Sequence, residues 1–208
     1  MRRPLAAAAA GVVLVTGATA GAVACSSSAS TAARHAVGVS APSAPTPAPA
    51  DSNPPGDIPD TQVYVPWSPP GGGFTVKVPE GWARATQGPA TVFTDKFNSV
   101  RVERVHATTA PTVNSVRTKD IPAIRAASTH FSLVKVVSVQ RKEGTAVLAE
   151  YRVSSAPNQV TGKRVPLDVQ RYVFYKPHKG EAVLTLSGGV GADNVDPWRT
   201  VTDSFRWS

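Results

Sequence analysis

Leu167-Asp168-Val169-Gln170-Arg171-Tyr172-Val173-Phe174-Tyr175 is the stretch on which the fold turns. Apolar and polar residues alternate along it, and aromatic side chains crowd its centre, the signature of a long strand with at least one buried face. Upstream, Val147, Ala149, Tyr151 and Val153 share one face of a second strand, with Glu150 and Arg152 on the other. Downstream, Lys179-Gly180 turns into Ala182-Val183-Leu184-Thr185-Leu186, a third and buried strand. Consecutive strands with short or medium links predict an antiparallel meander. Leu133 to Gln140, rich in Val and followed by a turn at Glu143-Gly144, reads as a further, well-buried strand leading into it.

Toward the N-terminus the pattern is the same but shorter. Val63-Tyr64-Val65 reads as an edge strand, Pro69-Pro70-Gly71-Gly72-Gly73 as a turn, and Phe74 to Val78 as a half-buried strand broken by Pro79-Glu80-Gly81-Trp82. Thr91 to Asp95 and Val100 to Val105 form the next pair, turning at Phe97-Asn98-Ser99. Thr112 to Ser128 has helical spacing but contains Pro122, which predicts a break or a fresh start near it. At the C-terminus Asp196 is the expected N-cap, with Pro197 at the first helical position. Trp198, Val201, Thr202 and Phe205 repeat at i, i+3, i+4 and i+7, so one helix face meets the sheet. The fold class expected is α+β: an antiparallel sheet of about six or seven strands flanked by helices.

Ahead of this region the chain carries an address. Arg2 and Arg3 precede an uncharged Ala/Val-rich segment, and the small residues Ala22 and Ala24 lead to Cys25, the one cysteine of the protein. A lipobox requires that thiol, because its sulfur takes a diacylglycerol before cleavage after Ala24; the new N-terminus is then acylated again. Two chains anchor stably where one is marginal, at about 0.8 kcal/mol per buried CH₂. An uncleaved apolar anchor is the alternative; in both cases the arginines stay cytoplasmic and the rest of the chain faces outward. Residues 26–59 are dense in Ser, Ala and Pro, a composition that cannot bury enough apolar surface to fold. The expected organisation is a signal peptide over 1–24, a lipidated N-terminus and disordered linker over 25–62, and a single α+β domain over 63–208.

The 208 residues carry a formal charge of +8. From Pro66 onward there are 19 Lys+Arg and 11 Asp+Glu, so the domain alone carries that charge. A basic domain attracts anionic lipid or wall polymer; the charges are spread along the chain, and no nucleic-acid partner is expected. A lone cysteine rules out an intramolecular disulfide, a Cys-based zinc site in the domain, and thiol catalysis there, so the domain rests on its hydrophobic core.

Val78-Pro79-Glu80-Gly81-Trp82 early in the domain, and Asp193-Asn194-Val195-Asp196-Pro197-Trp198 leading to Ser204-Phe205-Arg206-Trp207 at its end, carry a resemblance. In this order of elements, behind a lipoprotein leader, the chain resembles small actinobacterial secreted lipoproteins of the PsbP-like fold, the LpqN/LpqT type. The resemblance covers about Phe74 to Trp207. It implies an antiparallel sheet sandwiched by helices and a protein-binding or accessory role. It supplies no catalytic residue.

The residues themselves agree with that absence. His106, His130 and His178 are scattered, with no pair at metal-ligand spacing, so no metal and no cofactor is expected. Leu186-Ser187-Gly188-Gly189 lacks the first Gly of a nucleophile elbow. The triple glycine lacks the Gly-Lys-Ser/Thr of a phosphate loop. Lys163 and Arg164, beside the polar loop, and Trp207, at the chain end, are the candidate partner contacts; no catalytic residue is assigned. The reading is a lipid-anchored, extracytoplasmic, monomeric binding or accessory module of the cell envelope, its partner an envelope protein or an anionic wall polymer. An envelope hydrolase with a site assembled from dispersed residues is the alternative. Replacing Cys25 with Ala is expected to abolish incorporation of labelled fatty acid; label retained in that variant would sink the lipobox reading.

Overall fold

The computed structural model describes residues 56–208. The expected signal peptide, with Ala24, Cys25 and the expected linker as far as residue 55, lies outside the described residues. Ten strands are present: β1 (Tyr64–Trp67), β2 (Phe74–Pro79), β3 (Ala83–Gln87), β4 (Ala90–Asp95), β5 (Asn98–Val105), β6 (Ser132–Arg141), β7 (Gly144–Ser154), β8 (Pro166–Lys176), β9 (Gly180–Gly189) and β10 (Arg206–Trp207). Seven of them form one antiparallel sheet in the order β3-β4-β5-β9-β8-β7-β6, and β1-β2-β10 form a small second sheet. Helices α1 (Val113–Ser115) and α2 (Ile121–Ala127) are joined by a π-helical turn (Val116–Asp120), and α3 (Val195–Ser204) precedes β10. The architecture is α+β, and the meander expected around Leu167–Tyr175 is the run β6 to β9.

Each face of the large sheet has its own core. Ala146, Leu148, Tyr172, Phe174, Ala182, Leu184, Leu186, Val100 and Val102 point one way and pack with Trp198, Val201 and Phe205 and with Phe74, Val76 and Val78 of β2. Val147, Ala149, Tyr151 and Val169 point the other way and pack with Val116 and Ile121 of the helical segment. The two periodicities explain the layers: period two on the strands sends alternate residues to opposite covers, and the i, i+3, i+7 stripe brings α3 down on one of them. Phe205 is fully buried. Its ring stacks on Phe174 at 4.3 Å between centroids and lies 5.3 Å from Phe74.

Several local features differ from the sequence reading. Asn194, rather than Asp196, caps α3, and Asp196 sits in the first turn. Asn194 makes no side-chain cap bond. Its carboxamide is spent elsewhere: Oδ1 accepts from Ile58 N at 2.8 Å, and Nδ2 donates to Asn98 Oδ1 at 3.0 Å and Gly56 O at 3.3 Å. A Cβ on Gly188 would lie 2.5 Å from Asn194 Nδ2 and 2.8 Å from Asn98 Oδ1, so only glycine fits beside this knot. Residues 56–62, assigned to the disordered linker, are therefore part of the packed body: Ile58 is 5% exposed, and Gly56 is buried. Their apolar content is one side chain, too little to register in composition.

β6 is a sheet edge and not a well-buried strand; of its residues only Val136 is buried, and Val134 is exposed. β3, Ala-Arg-Ala-Thr-Gln, was not expected at all; it is exposed throughout and held by pairing with β4. Near Pro122, where a break or a fresh start is expected, the π-helical turn ends at Asp120 and α2 starts at Ile121 with Pro122 in its first turn. Ile121 N donates to Val116 O, one residue further back than in an α-helix. The wider turn accommodates a ring that would collide with the preceding turn.

Phe205→Ala removes a ring that joins both sheets and is expected to cost about 3–5 kcal/mol. Arg199→Ala, on the exposed side of α3, is expected to change stability by no more than about 0.5 kcal/mol. Urea melts of the two variants check the pair; equal shifts would contradict the docking of α3.

Candidate functional site

The register divides one face of the large sheet into two chemistries. Across β4, β5, β9, β8 and β7, one row reads Thr94, Ser99, Ser187, Val169, Tyr151, and the next reads Val92, Arg101, Thr185, Arg171, Ala149. The β7–β8 end is apolar and lies under the helical segment. The β4–β5–β9 end carries hydroxyls and a guanidinium and has no helical cover. Side chains that meet no apolar layer must remain compatible with water, so polarity alone follows from the missing cover.

Shape adds something polarity does not require. The β4–β5 turn and the loop between β7 and β8 rise on either side of this polar half and enclose a groove of about 470 Å³. Its floor holds Ser99 and Ser187, whose hydroxyls meet at 2.7 Å, with Thr185 and Arg101 beside them. Arg101 pairs with Glu103 at 3.2 Å and reaches Gln87 Oε1 at 3.4 Å. Lys96 and Phe97 border the groove from the turn, and Lys163 and Asn158 from the loop. Three cations and no carboxylate line it. The loop is shaped by Asn158, whose Oδ1 accepts from the backbone N–H groups of Val160 and Thr161.

The sequence candidates are placed as follows. Lys163 borders the groove and is exposed. Arg164 is exposed too, but it donates to Ser155 O at 2.7 Å and braces the loop. Trp207 is not a free terminal ring: it pairs with Phe74 in the small sheet, is half-buried, and meets Phe205 edge-on at 5.1 Å. A terminal aromatic is half-buried here because the last strand is zipped to β2. Ser99 and Arg101 were not singled out from sequence, and Ser187 was weighed only as part of a nucleophile-elbow stretch. Ser99 and Arg101 share a β5 face with Glu103, and Ser187 shares a β9 face with Thr185; they become one cluster only once β5 and β9 are paired.

The dispersed residues a hydrolase would need do not converge on this groove. His130 Nδ1 meets Ser154 Oγ at 3.0 Å, a Ser–His contact. His130 is exposed at a left-handed φ of 54°, and among the described residues no carboxylate bonds its other ring nitrogen. Without an orienting acid the pair lacks the third member of a triad. The other notable carboxylate is Glu181. Burial raises its carboxyl above the usual range, Asp120 nearby adds to the rise, and Arg171 opposes it. Arg171 bonds Asp120 at 3.4 Å, and neither acid lines the groove. Among the described residues no group of three or more His, Asp or Glu side chains could hold a metal ion.

No family model matches the chain. No curated protein matches it either. Among solved structures it is similar to the Ran-binding protein Mog1p of Saccharomyces cerevisiae, at 12% identity over 71% of this chain and 96% of that one, with a TM-score of 0.47. It is similar also to PsbP (CyanoP) of Synechocystis sp. PCC 6803, at 17% identity over 75% of this chain and all of that one, TM-score 0.46. A third likeness, to a Bacteroides thetaiotaomicron protein, has 16% identity over 68% of this chain and 47% of that one, TM-score 0.40.

Glu181 yields a pH prediction. A carboxyl raised in the folded state binds more protons than its unfolded counterpart, so its contribution is fully present below the ordinary value of 4.5 and is lost as pH rises through the folded value. Glu181→Gln is therefore expected to raise the Tm at pH 7 and to leave it nearly unchanged near pH 4. Thermal melts at the two values check the sign; a lower Tm at pH 7 would contradict it.

Proposed function

We propose that this protein is an extracytoplasmic envelope lipoprotein, held by lipid at Cys25, that acts as a non-enzymatic binding module. Under this reading it is akin to the small actinobacterial lipoproteins it resembles in sequence. The tether rests on Ala22-Val23-Ala24-Cys25, and the Ser/Ala/Pro-rich stretch that follows gives the body reach from the membrane. The observation that carries the binding role is the groove: a concave, uncovered patch of sheet with Lys96, Arg101 and Lys163 around a hydroxyl floor and no acid in its lining. A merely solvated face needs polar residues, but it needs neither walls nor one sign of charge. Fixed cations in a concavity concentrate anions, and the hydroxyls supply neutral donors and acceptors beside them.

The partner that fits is an anionic wall polymer, whose repeated carboxylates or phosphates engage several cations at once. The full-length protein is expected to cosediment with purified anionic wall material and to be released by salt, because exposed charges are screened beyond about 10 Å at 0.1 M. Lys96→Ala/Arg101→Ala/Lys163→Ala should abolish cosedimentation while leaving the urea midpoint close to that of the parent. Unchanged cosedimentation by the triple variant would remove the groove from the reading. Release of soluble fragments from the polymer would favour the hydrolase alternative.

A further inference from the structure

A second cleft lies at the other end of the same strands, and it gives the triple glycine a role. Its volume is about 580 Å³. Three connections meet there: the Pro69–Gly73 turn before β2, the Gly88–Pro89 turn between β3 and β4, and the turn between β8 and β9. Arg104, near the end of β5, and Lys179, in the β8–β9 turn, reach the cleft from separate parts of the chain, and His106 lines it just beyond β5. No carboxylate lines the cleft, and Thr86 and Thr91 are among the residues that do.

The glycine turn holds Arg104 in place. Gly73 has φ of +97°, and a Cβ there would fall 3.2 Å from the guanidinium carbon and from Nη1 of Arg104. The guanidinium thus lies directly on the bare α-carbon, and Nη1 donates to Gly71 O at 3.5 Å. The turn itself is anchored. Gly73 O accepts from Ser208 N at 3.1 Å, and Ser68 Oγ meets Thr75 Oγ1 at 2.9 Å across its base. A guanidinium braced in this way keeps its remaining donors for something outside the protein, and among the described residues no acid pairs with Arg104 or Lys179.

We infer that this cleft, separate from the sheet-face groove, is an oxyanion subsite for a phosphoryl group, with Arg104 and Lys179 as its charged contacts and Gly73 positioning the guanidinium. Planar guanidinium forks and ammonium groups converging from separate elements are the means by which phosphate oxygens are held. The ligand is a soluble phosphate or the phosphodiester of a lipid headgroup; both present the same charged oxygens.

Calorimetric titration of the full-length protein in a neutral detergent tests the assignment. The probes are inorganic pyrophosphate and glycerophosphoglycerol, the deacylated headgroup of an anionic phospholipid. One-site binding of at least one probe is expected. Arg104→Ala/Lys179→Ala should weaken it by roughly tenfold or more, since charge-assisted bonds are about twice as strong as neutral ones. Lys119→Ala/Arg199→Ala, which removes the same charge from other surfaces, should change affinity by less than about twofold if net charge acts only by screened long-range attraction. Gly73→Ala should weaken binding with both cations still present. Pyrophosphate alone as ligand assigns a soluble phosphate; the diester binding as well or better assigns a headgroup. Binding of neither probe, or equal loss in the two double variants, would overturn the subsite. Neither result touches the groove, whose test uses different residues and a polymer.

Discussion

The stack of Phe205 on Phe174, with Phe74 against its other side, is the contact on which the body depends. Phe174 belongs to the large sheet, Phe74 to the small one, and Phe205 to the end of α3. All three rings are at most 1% exposed. The two sheets share no strand and no ladder, so their mutual position rests on side-chain packing and on a few side-chain bonds such as Trp207 N–H to Glu143 Oε1 at 3.2 Å. Full burial of a Phe contributes about 1.5–3 kcal/mol, and three interlocked rings form a seam that cannot open one ring at a time. Trp207 extends the seam, meeting Phe74 at 6.0 Å and Phe205 at 5.1 Å. The last strand is thereby built into the core.

With one face of the large sheet committed to that seam, the other face decides what remains available. The helical segment is short and covers the β6–β7–β8 end, through Val116 and Ile121. At the border of this cover Arg171 is paired with Asp120 while its Nε has no partner among the described residues. Beyond it the same rows turn to Ser187, Ser99, Thr185 and Arg101. The groove is therefore a consequence of a helix that stops short, bordered by the tight Lys96-Phe97 turn on one side and the long β7–β8 loop on the other. The cleft at the opposite end arises differently, from three turns brought together by strand pairing.

The regular elements were largely legible, because burial on a strand or helix imposes a period that the sequence must display. The meander and the Trp198–Val201–Phe205 stripe follow from that. What misled was burial without period or period without burial. Val134, Val136 and Val137 suggest a buried strand, yet β6 is an edge and only Val136 is covered. Ala83 to Gln87 shows no apolar alternation because its pairing with β4 is by backbone alone. Ile58 carries its segment into the core through a single side chain and the Asn194 carboxamide. Of the candidate contacts, Lys163 lies beside a concavity, Arg164 braces its own loop, and Trp207 is packed inward.

By itself the sequence determined the class of the fold, the helix that docks on the sheet, and the expectation of a leader ending at Ala24, just before Cys25. These are local properties: periodicity, turn chemistry and a cysteine after small residues can each be read within a few neighbours. Only the tertiary structure decided which Ser and Arg residues share a groove, why Gly73 must lack a side chain, and where Trp207 goes. Those are set by pairings between residues far apart in the chain: Ser99 with Ser187, Gly73 with Arg104, Phe74 with Trp207. No local pattern records such pairings, because each partner satisfies the rules of its own strand or turn equally well without the other.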